Sequence, residues 1–326
     1  MTAQPWAAPF VRLFAQQSEG VEPHARLKTE PEDFQVTEQR IEEFSGSGEH
    51  LCLYIEKRGQ NTRWVADQLA AQLGLQEKAV GYAGLKDRHA VTRQWFSLPL
   101  ADENLLKNVQ IEGVRLLDSQ RHSRKLRPGD LSGNQFALRL RNLEGDREQL
   151  QHRLQRVVEQ GFPNFFGAQR FGRKGDNVEQ ALDLNRRRRL LRHRNKGIYL
   201  SAARSWMFNR FLADRIECGD WPQLCAAKDI TGPLWGRGRP PEDATFAAQE
   251  AELPGRFPEL ANLLEHSGLG QDRRTLRLQP QLQWRVEGND LHLSFCLPPG
   301  SYATALIDQL LIARTADEPQ GDENAG

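Results

Sequence analysis

Apolar and polar side chains alternate along several short stretches in the first half of the chain. The alternation covers residues 34–37, 51–55, 92–98 and 136–140, with a weaker version at residues 114–117. A two-residue period places successive side chains on opposite faces, as in a half-buried strand. These stretches predict a sheet, and Arg139 and Arg141 are expected on one side of its last strand.

A helical period of apolar residues lies between and after these strands. Apolar side chains recur every fourth position from residue 65 to residue 73, with Asn61 or Thr62 as the N-terminal cap and Gly74 at the end. We expect this helix to pack on the sheet. Residues 150–160 and 199–216 also have a helical pattern, and the second of these predicted helices is strongly amphipathic.

The last third of the chain changes in composition. From Asp220 to about Leu276 it is rich in Pro, Gly, Ala and Glu, which suggests an inserted second domain with short helices. Two alternating strands are then predicted around a turn at Gly288 and Asn289, followed by a helix over residues 305–314. A disordered acidic tail is expected to close the chain.

One carboxylate in the predicted sheet region is a candidate for chemistry. Asp87 lies between Lys86 and Arg88, after a small apolar stretch and before the strand at residues 92–98, so it is predicted in a turn between two extended pieces. Strands can hold a side chain at such a turn while its head group faces a cleft. Asp is equally a common structural residue of turns, so the local sequence leaves both interpretations open.

Length and composition restrict the class of protein. A chain of 326 residues with 38% hydrophobic content is long enough for about two domains. No apolar run approaches the ~20 residues that span a bilayer, so we expect a soluble, cytoplasmic protein with no membrane contact. The four cysteines are scattered, which predicts free thiols and no structural metal.

The net charge of +1 conceals a strong asymmetry along the chain. Residues 51–215 carry 31 Lys and Arg against 17 Asp and Glu, a net charge of +14, whereas the rest of the chain carries −13. The densest basic tracts are residues 121–127 and 186–196. Such tracts form either solvated surfaces or footprints for a polyanion, and their presence around Asp87 favours nucleic acid as the partner.

The segment GFPNFFGAQRFG combines four phenylalanines with Asn164, Gln169 and Arg170. Gly167 and Gly172 have the spacing of a phosphate-binding loop, but the Lys and Ser or Thr required after them are replaced by Arg173 and Lys174, which argues against a nucleotide triphosphate site. Phenylalanines in a loop are commonly core residues. An aromatic ring beside amide side chains can also stack a base while the amides bond its edge.

These motifs together resemble the TruD family of tRNA pseudouridine synthases over essentially the whole chain. The matching blocks are LKTEPEDFQVTE, GYAGLKDRHAVTRQWFSL, RKLRPGDLSGNQF, FPNFFGAQRFG, YLSAARSWMFNRF and LPPGSYAT. Six blocks in the family's order make the resemblance specific.

The resemblance implies an α+β fold with a mixed, mainly antiparallel-sheet pseudouridine-synthase core and an inserted second α/β domain. The core is expected at residues 1–189 and 278–326, and the inserted TRUD-type domain at residues 190–277. The implied activity is isomerisation of a uridine in the D arm of tRNA, at position 13, to pseudouridine. The expected partner is tRNA, and the protein is expected to be a monomer. No cofactor or metal is expected to take part.

By the same resemblance, Asp87 would be the catalytic aspartate and Lys28 its charge partner within ion-pair distance. Asn164 and Phe166 would hold the target uracil. Further residues are expected to bind substrate, namely Gln169, Arg170 and Phe34, and the RNA backbone, namely Arg186, Arg187, Arg188, Arg189 and Lys125.

The reaction itself leaves the role of Asp87 open. It breaks a carbon–nitrogen glycosidic bond, rotates the uracil in place and forms a carbon–carbon bond to the same sugar. Asp87 could attack the sugar C1′, add to uracil C6 or remove the 2′ proton. A non-catalytic RNA-binding or RNA-folding protein is the alternative that the basic segment alone would also support.

Overall fold

The computed structural model describes residues 6–15, 20–227, 229–238 and 244–315. The acidic tail expected at the C-terminus begins beyond residue 315 and lies outside the described residues. In the described residues the strands, numbered along the chain, are β1 His24–Leu27, β2 Phe34–Gln39, β3 His50–Arg58, β4 Gly81–Tyr82, β5 Val91–Leu98, β6 Val114–His122, β7 Gly133–Glu144, β8 Phe162–Pro163, β9 Thr231–Leu234, β10 Asp272–Thr275, β11 Arg277–Leu278, β12 Gln283–Glu287, β13 Asp290–Leu297 and β14 Ile312–Thr315. The α-helices of the same residues are α1 Thr62–Gln72, α2 Arg147–Gln160, α3 Asn177–Arg186, α4 Lys196–Glu217, α5 Trp221–Ala226, α6 Ala247–Arg256, α7 Pro258–Glu265 and α8 Ala303–Leu310.

Contacts divide the chain into two compact units. Taking only the described residues, the sheet unit falls within residues 20–149, 280–300 and 311–326, and the helical unit falls within residues 1–19, 150–279 and 301–310. In this division residues 150–189 group with the segment that follows them. The extent of the expected inserted domain, residues 190–277, stays a prediction.

The sheet unit is built on one mixed sheet. Its order is β12-β13-β7-β2-β5-β3-β6, with β1 attached to β7, β14 attached to β1 and β4 attached to β5. Most neighbours are antiparallel, and β2 with β5 and β1 with β14 are parallel. The predicted alternation is confirmed, since Leu51, Leu53 and Ile55 of β3 are each 1% exposed. The expected α+β class is also confirmed.

Helix α1 covers the face of the sheet that these residues form. Asn61 accepts a hydrogen bond from the Arg63 backbone N–H, and Gly74 follows the helix with φ +66°, so both predicted helix ends are confirmed. Val65 and Leu69 pack with the apolar side chains of β3 and β5 in one buried cluster. This packing supports β5, the strand that directly follows Asp87 and its connection.

The helical unit is organised around α4. Its face of Ala202, Met207, Phe208, Phe211 and Leu212 is at most 1% exposed, as the amphipathic pattern predicted. Helices α3, α6 and α7 and strand β9 pack against it. Strand β9 pairs with β10, and β8 pairs with β11.

The helix predicted over residues 305–314 is wrong at its C-terminal end. Helix α8 ends at Leu310, and Ile312–Thr315 form β14 instead. Strand β14 pairs in parallel with β1, and the Ile312 backbone N–H donates to the Pro23 carbonyl. Because β1 supplies backbone partners, pairing overrides the continuous apolar pattern that favoured a longer helix.

Candidate active site

Asp87 lies in the connection between β4 and β5, which pair as an antiparallel hairpin. The predicted turn is therefore confirmed. The side chain is 44% exposed, and its Oδ2 lies 3.5 Å from the Lys28 Nζ. The expected proximity of Lys28 and Asp87 is confirmed, although they are far apart in sequence. Their catalytic roles stay predictions.

Lys28 follows β1 and has a left-handed backbone with φ +58°. Its side chain is 20% exposed, and its Nζ lies 4.1 Å from the centroid of the Phe34 ring. Phe34 is 2% exposed and packs edge to face with Phe136. The ring thus forms a platform beneath the Lys28 ammonium, where a cation is attracted to the π face.

Buried polar side chains hold the backbone that leads into Asp87. Thr62 Oγ1 accepts a hydrogen bond from the Lys86 backbone N–H and donates to Gln94 Oε1, while Gln94 Nε2 donates to the Gly84 carbonyl. The Lys86 ammonium forms an ion pair of 2.6 Å with Glu38, and both side chains are almost fully buried. Each of these polar groups has a partner, so the network restricts the backbone from Gly84 to Lys86.

A second group of predicted site residues lies in the helical unit around Phe166. The Phe166 ring is 8% exposed and packs edge to face with Phe208 and Tyr302. The buried Asn209 amide bonds both backbone groups of Phe166, accepting from its N–H and donating to its carbonyl. The Arg274 guanidinium lies 4.1 Å from the ring centroid.

Asn164 has a side-chain amide that is already bonded within the protein. Its Nδ2 donates to the carbonyl and the hydroxyl of Thr275, and its Oδ1 accepts from Arg274 Nη2 at 2.5 Å. Burial lowers the pKa of the Arg274 guanidinium to about 10. Asn164 therefore anchors Arg274 beside Phe166.

Gln169 and Arg170 lie in a short 3₁₀ helix, Ala168–Phe171, directly after Phe166. Gln169 is exposed, and Arg170 donates to the Ser201 hydroxyl while its guanidinium lies 5.4 Å from the Phe166 centroid. Gly167 has a packing role here, because a Cβ at this position would lie 2.8 Å from Thr304 Oγ1. The glycine spacing that resembled a phosphate loop is thus part of a tightly packed turn.

The two basic tracts differ in how far their charges are neutralised. In the tract at residues 121–127, Arg121 pairs with Glu103, Arg124 pairs with Asp130 and Glu42, and Lys125 donates to the Lys78 carbonyl. The two ion-paired arginines leave less free positive charge than the sequence suggests, and the bond to a carbonyl restricts the position of Lys125 without neutralising it.

The second tract is more open. Arg186, Arg187, Arg188 and Arg189 are all exposed at the end of α3. Arg186 pairs with Glu259 and Asp183, and Arg187 pairs with Asp183. No ion pair with a described residue holds Arg188 or Arg189, so these two offer the most accessible charge of the four.

The arginines predicted on one side of β7 are paired with acids. Arg139 bonds Asp290, and Arg141 bonds Asp33 and Glu30. They line a groove of about 580 Å³ in the sheet unit. Because the groove contains both signs of charge in close pairs, it is a weaker phosphate site than an unpaired basic surface.

Arg274 and Tyr302 were missed as neighbours of Phe166. Tyr302 lies in the quoted LPPGSYAT block, and Arg274 lies in a segment without a recognisable local motif. Their contacts with Phe166 span more than 100 positions, so no local period could reveal them. Within the described residues, no cluster of three or more His, Cys, Asp or Glu side chains has an arrangement suited to a metal ion. None of the helices in the described part has the length and apolar character to span a bilayer.

Comparison with known proteins identifies consistent relatives. A family model described as tRNA pseudouridine synthase D (TruD) matches residues 11–180. The tRNA pseudouridine synthase D of Cellvibrio japonicus is 44% identical over 304 residues, covering 89% of this chain and 90% of the relative. That of Pseudomonas aeruginosa PAO1 is 42% identical over 321 residues, covering 88% and 90%.

The fold has a counterpart among solved structures. The crystal structure of a protein described as a putative tRNA pseudouridine synthase D from Methanosarcina mazei superposes with a TM-score of 0.67 at 19% identity. The match covers 95% of this chain and 98% of that one. At this identity the likeness concerns the fold.

Proposed function

Because the chain belongs to the TruD family of tRNA pseudouridine synthases, which are isomerases, we propose that it converts uridine-13 in the D arm of tRNA into pseudouridine. The Asp87 carboxylate acts directly on the reacting nucleoside, as nucleophile or as base. The observation that carries this assignment is the Lys28–Asp87 pair, an accessible carboxylate on a hairpin with an ammonium 3.5 Å away. The ammonium attracts the carboxylate and restricts its orientation.

The chemistry requires few protein groups. The glycosidic bond between uracil N1 and C1′ breaks, the uracil turns without leaving, and a bond forms between its C5 and C1′. Substrate and product contain the same atoms, so the net reaction consumes no co-reactant. A carboxylate close to C1′ and C6 and a set of side chains that retain the free uracil are the essential parts.

Phe166 is proposed to contribute the aromatic surface for the target uracil, with Asn164, Gln169, Arg170 and Phe34 as further substrate-binding residues. Removing a base from its stack costs a few kcal/mol. Stacking on an aromatic ring contributes about 1–3 kcal/mol per base and offsets much of that cost. The bonds from Asn209 to the Phe166 backbone support this role, because they fix the position of the ring.

The arginines at residues 186–189 and Lys125 are proposed to bind RNA phosphates. All four arginines are exposed, and Arg188 and Arg189 have no ion pair with a described residue. Their contribution is sequence-independent and decreases with salt, because each phosphate contact releases counterions.

The proposal is tested by incubating the protein with unmodified tRNA in the presence of chelator and mapping pseudouridine along the product. We expect pseudouridine at position 13. Asp87→Asn should reduce turnover at least ~100-fold while tRNA affinity stays within a few fold, because it removes the charge from a nearly isosteric side chain. Asp67→Asn, at an exposed position of α1, is the matched control and should retain turnover.

The outcomes separate the parts of the proposal. Pseudouridine at another position would contradict the assignment of uridine-13 while retaining the reaction. Binding without any product would favour the non-catalytic RNA-binding alternative. Turnover by Asp87→Asn above about a hundredth of wild type would remove Asp87 from the central role.

A further inference from the structure

Lys57 is a lysine on β3 whose side chain is fully buried, at 0% exposure. Its Nζ donates to the carbonyl of Asp87 at 2.8 Å, to the carbonyl of Gln60 at 2.7 Å and, more weakly, to the carbonyl of Lys86 at 3.5 Å. Two of these three acceptors are backbone atoms of the hairpin turn that carries the carboxylate. No ion pair with a carboxylate of the described residues holds the Lys57 ammonium.

This arrangement suits the ammonium of a lysine. An ammonium has three N–H donors, and three carbonyls accept from it, whereas a neutral amine offers only two donors. Burial of the charge is costly and lowers the pKa of Lys57 to about 8. Of the charged groups that act on it, Asp87 raises the pKa and Lys86 lowers it.

We infer that Lys57 is a positioning residue for Asp87, fixing the backbone of this residue from beneath the turn so that its carboxylate is held toward substrate. The inference rests on the proposed function of Asp87. Lys28 holds the carboxylate head group from outside, at 3.5 Å, and Lys57 holds the carbonyl of the same residue from inside. Two cations thus restrain opposite ends of one aspartate.

The surrounding network explains why this contact controls the turn. Thr62 and Gln94 bind the backbone at Lys86 and Gly84, and Lys86 is anchored by Glu38. At Asp87 itself, Lys57 provides the bond from the protein interior. Without that bond, the aspartate can shift while the network before it stays in place. A misplacement of about 1 Å can reduce a rate ~100-fold.

The test compares Lys57→Met with wild type under single-turnover conditions on unmodified tRNA. With the enzyme in excess over tRNA, Lys57→Met should lower the rate constant ~100-fold while the enzyme concentration at half-saturation stays within about threefold. Lys107→Met, which removes an exposed lysine of the same unit, is the charge control and should behave as wild type. Thermal melting of each variant defines a temperature at which all three proteins are folded.

A pH profile distinguishes positioning from a purely structural role. The wild-type rate should fall reversibly above about pH 8, where Lys57 loses its proton, while the fold remains intact. This limb should be absent from the slow Lys57→Met reaction. Over the same pH range in which the rate falls, the free energy of unfolding of wild type should rise relative to that of Lys57→Met. Lys57 releases its proton near pH 8 when folded and near its usual pKa of 10.5 when unfolded, so wild type gains stability between these values.

Several results would overturn the inference. One is a rate of Lys57→Met within about threefold of wild type, and another is the same alkaline limb in both proteins. If Lys57→Met does not fold, the wild-type profile decides alone, and a rate that is level through about pH 9 contradicts the inference. Absence of pseudouridine with wild type at every pH would instead contradict the proposed function.

Discussion

Lys28 has a backbone conformation that a side chain makes costly. Its φ of +58° lies in the left-handed region, which costs a non-glycine residue about 1–2 kcal/mol. Glycine adopts this conformation at little cost. A lysine here reduces stability while placing its ammonium between the Phe34 ring and Asp87. Strain of this kind is typical of positions where the side chain has a function.

This interpretation predicts different effects for two small substitutions. Lys28→Ala and Lys28→Gly should both lower turnover, because each removes the ammonium. Lys28→Arg should retain part of the turnover, because it keeps a positive charge. The glycine variant should be more stable than the alanine variant by about 1 kcal/mol, measured as the free energy of unfolding in urea. Full turnover by Lys28→Ala would contradict the proposed charge partnership. Equal stability of Lys28→Ala and Lys28→Gly would show that the backbone at this position is not strained.

Phe166 is proposed to stack uracil, and its neighbour Phe165 provides a matched comparison. Phe165 is 0% exposed and packs against Phe10, as a core residue does. Phe166→Ala should reduce kcat/KM by the equivalent of about 1–3 kcal/mol, and Phe166→Leu should recover part of the loss. Phe165→Leu should lower stability without a comparable loss of kcat/KM. If Phe166→Ala turns over as wild type does, Phe166 has only a packing role.

The residues of the site differ in how far sequence could predict them. The turn around Asp87 follows from local alternation, because strands have a fixed period. Its neighbour Lys28 follows only from the family resemblance, since nothing in the local pattern links the two positions. Arg274 contacts Asn164 across 110 positions and Lys57 contacts Asp87 across 30. Such contacts depend on the folded arrangement, which hydrophobic periods do not encode.

At the scale of elements, prediction succeeded where local signals agreed. Helix α1 has a cap, a four-residue apolar period and a terminal glycine, and each of these features occurs as predicted. The segment after α8 lacks such a stop signal. Its residues Leu311 and Ile312 continue the apolar pattern, yet pairing with β1 makes a strand from Ile312 onward. The end of α8 is therefore set by pairing with β1, a strand far away in the sequence.

Helix α8 also contains an acid that should make stability depend on pH. Burial raises the pKa of Asp308 to about 6, and Arg12 partly opposes this. An acid whose pKa is raised in the folded state is deprotonated first in the unfolded state, so its contribution to stability is lost as pH rises from about 4 to about 6. Asp308→Asn removes this titration. Relative to wild type, the variant should gain up to about 3 kcal/mol between about pH 4 and pH 7.

Urea unfolding of both proteins at several pH values measures the difference. At about pH 4 the neutral acid and the amide should have similar effects, so the two proteins should differ little there. A difference in unfolding free energy that does not change between about pH 4 and pH 7 would show that Asp308 does not titrate in this range. Turnover at neutral pH serves as the control that the helical unit retains its conformation.

At the scale of the whole molecule, the distribution of charge along the sequence predicts a polyanionic partner. It is a weaker guide to which basic side chains are available to contact that partner. The segment 51–215 has a net charge of +14. In the tract at residues 121–127, however, acids and carbonyls bind most of the basic side chains. A charge count along the sequence cannot reveal such pairing, because the partners Glu42 and Glu103 lie elsewhere in the chain. The tract at residues 186–189 is the stronger candidate for RNA contact.

The pairing within that second tract allows a controlled test of RNA binding. Arg186 and Arg187 already contact Asp183 or Glu259, whereas Arg188 and Arg189 have no ion pair with a described residue. Replacing Arg188 and Arg189 with Gln should weaken binding to all RNA sequences. It should also lower the slope of log affinity against log salt by about one for each phosphate that the variant no longer binds. The same replacement at Arg186 and Arg187 should change the slope less, because these side chains exchange an existing protein partner for a phosphate.

Filter binding at a series of salt concentrations, with tRNA and with an unrelated RNA of equal length, measures both slopes. An unchanged slope for the Arg188 and Arg189 variant would show that the tract is a solvated surface without phosphate contacts.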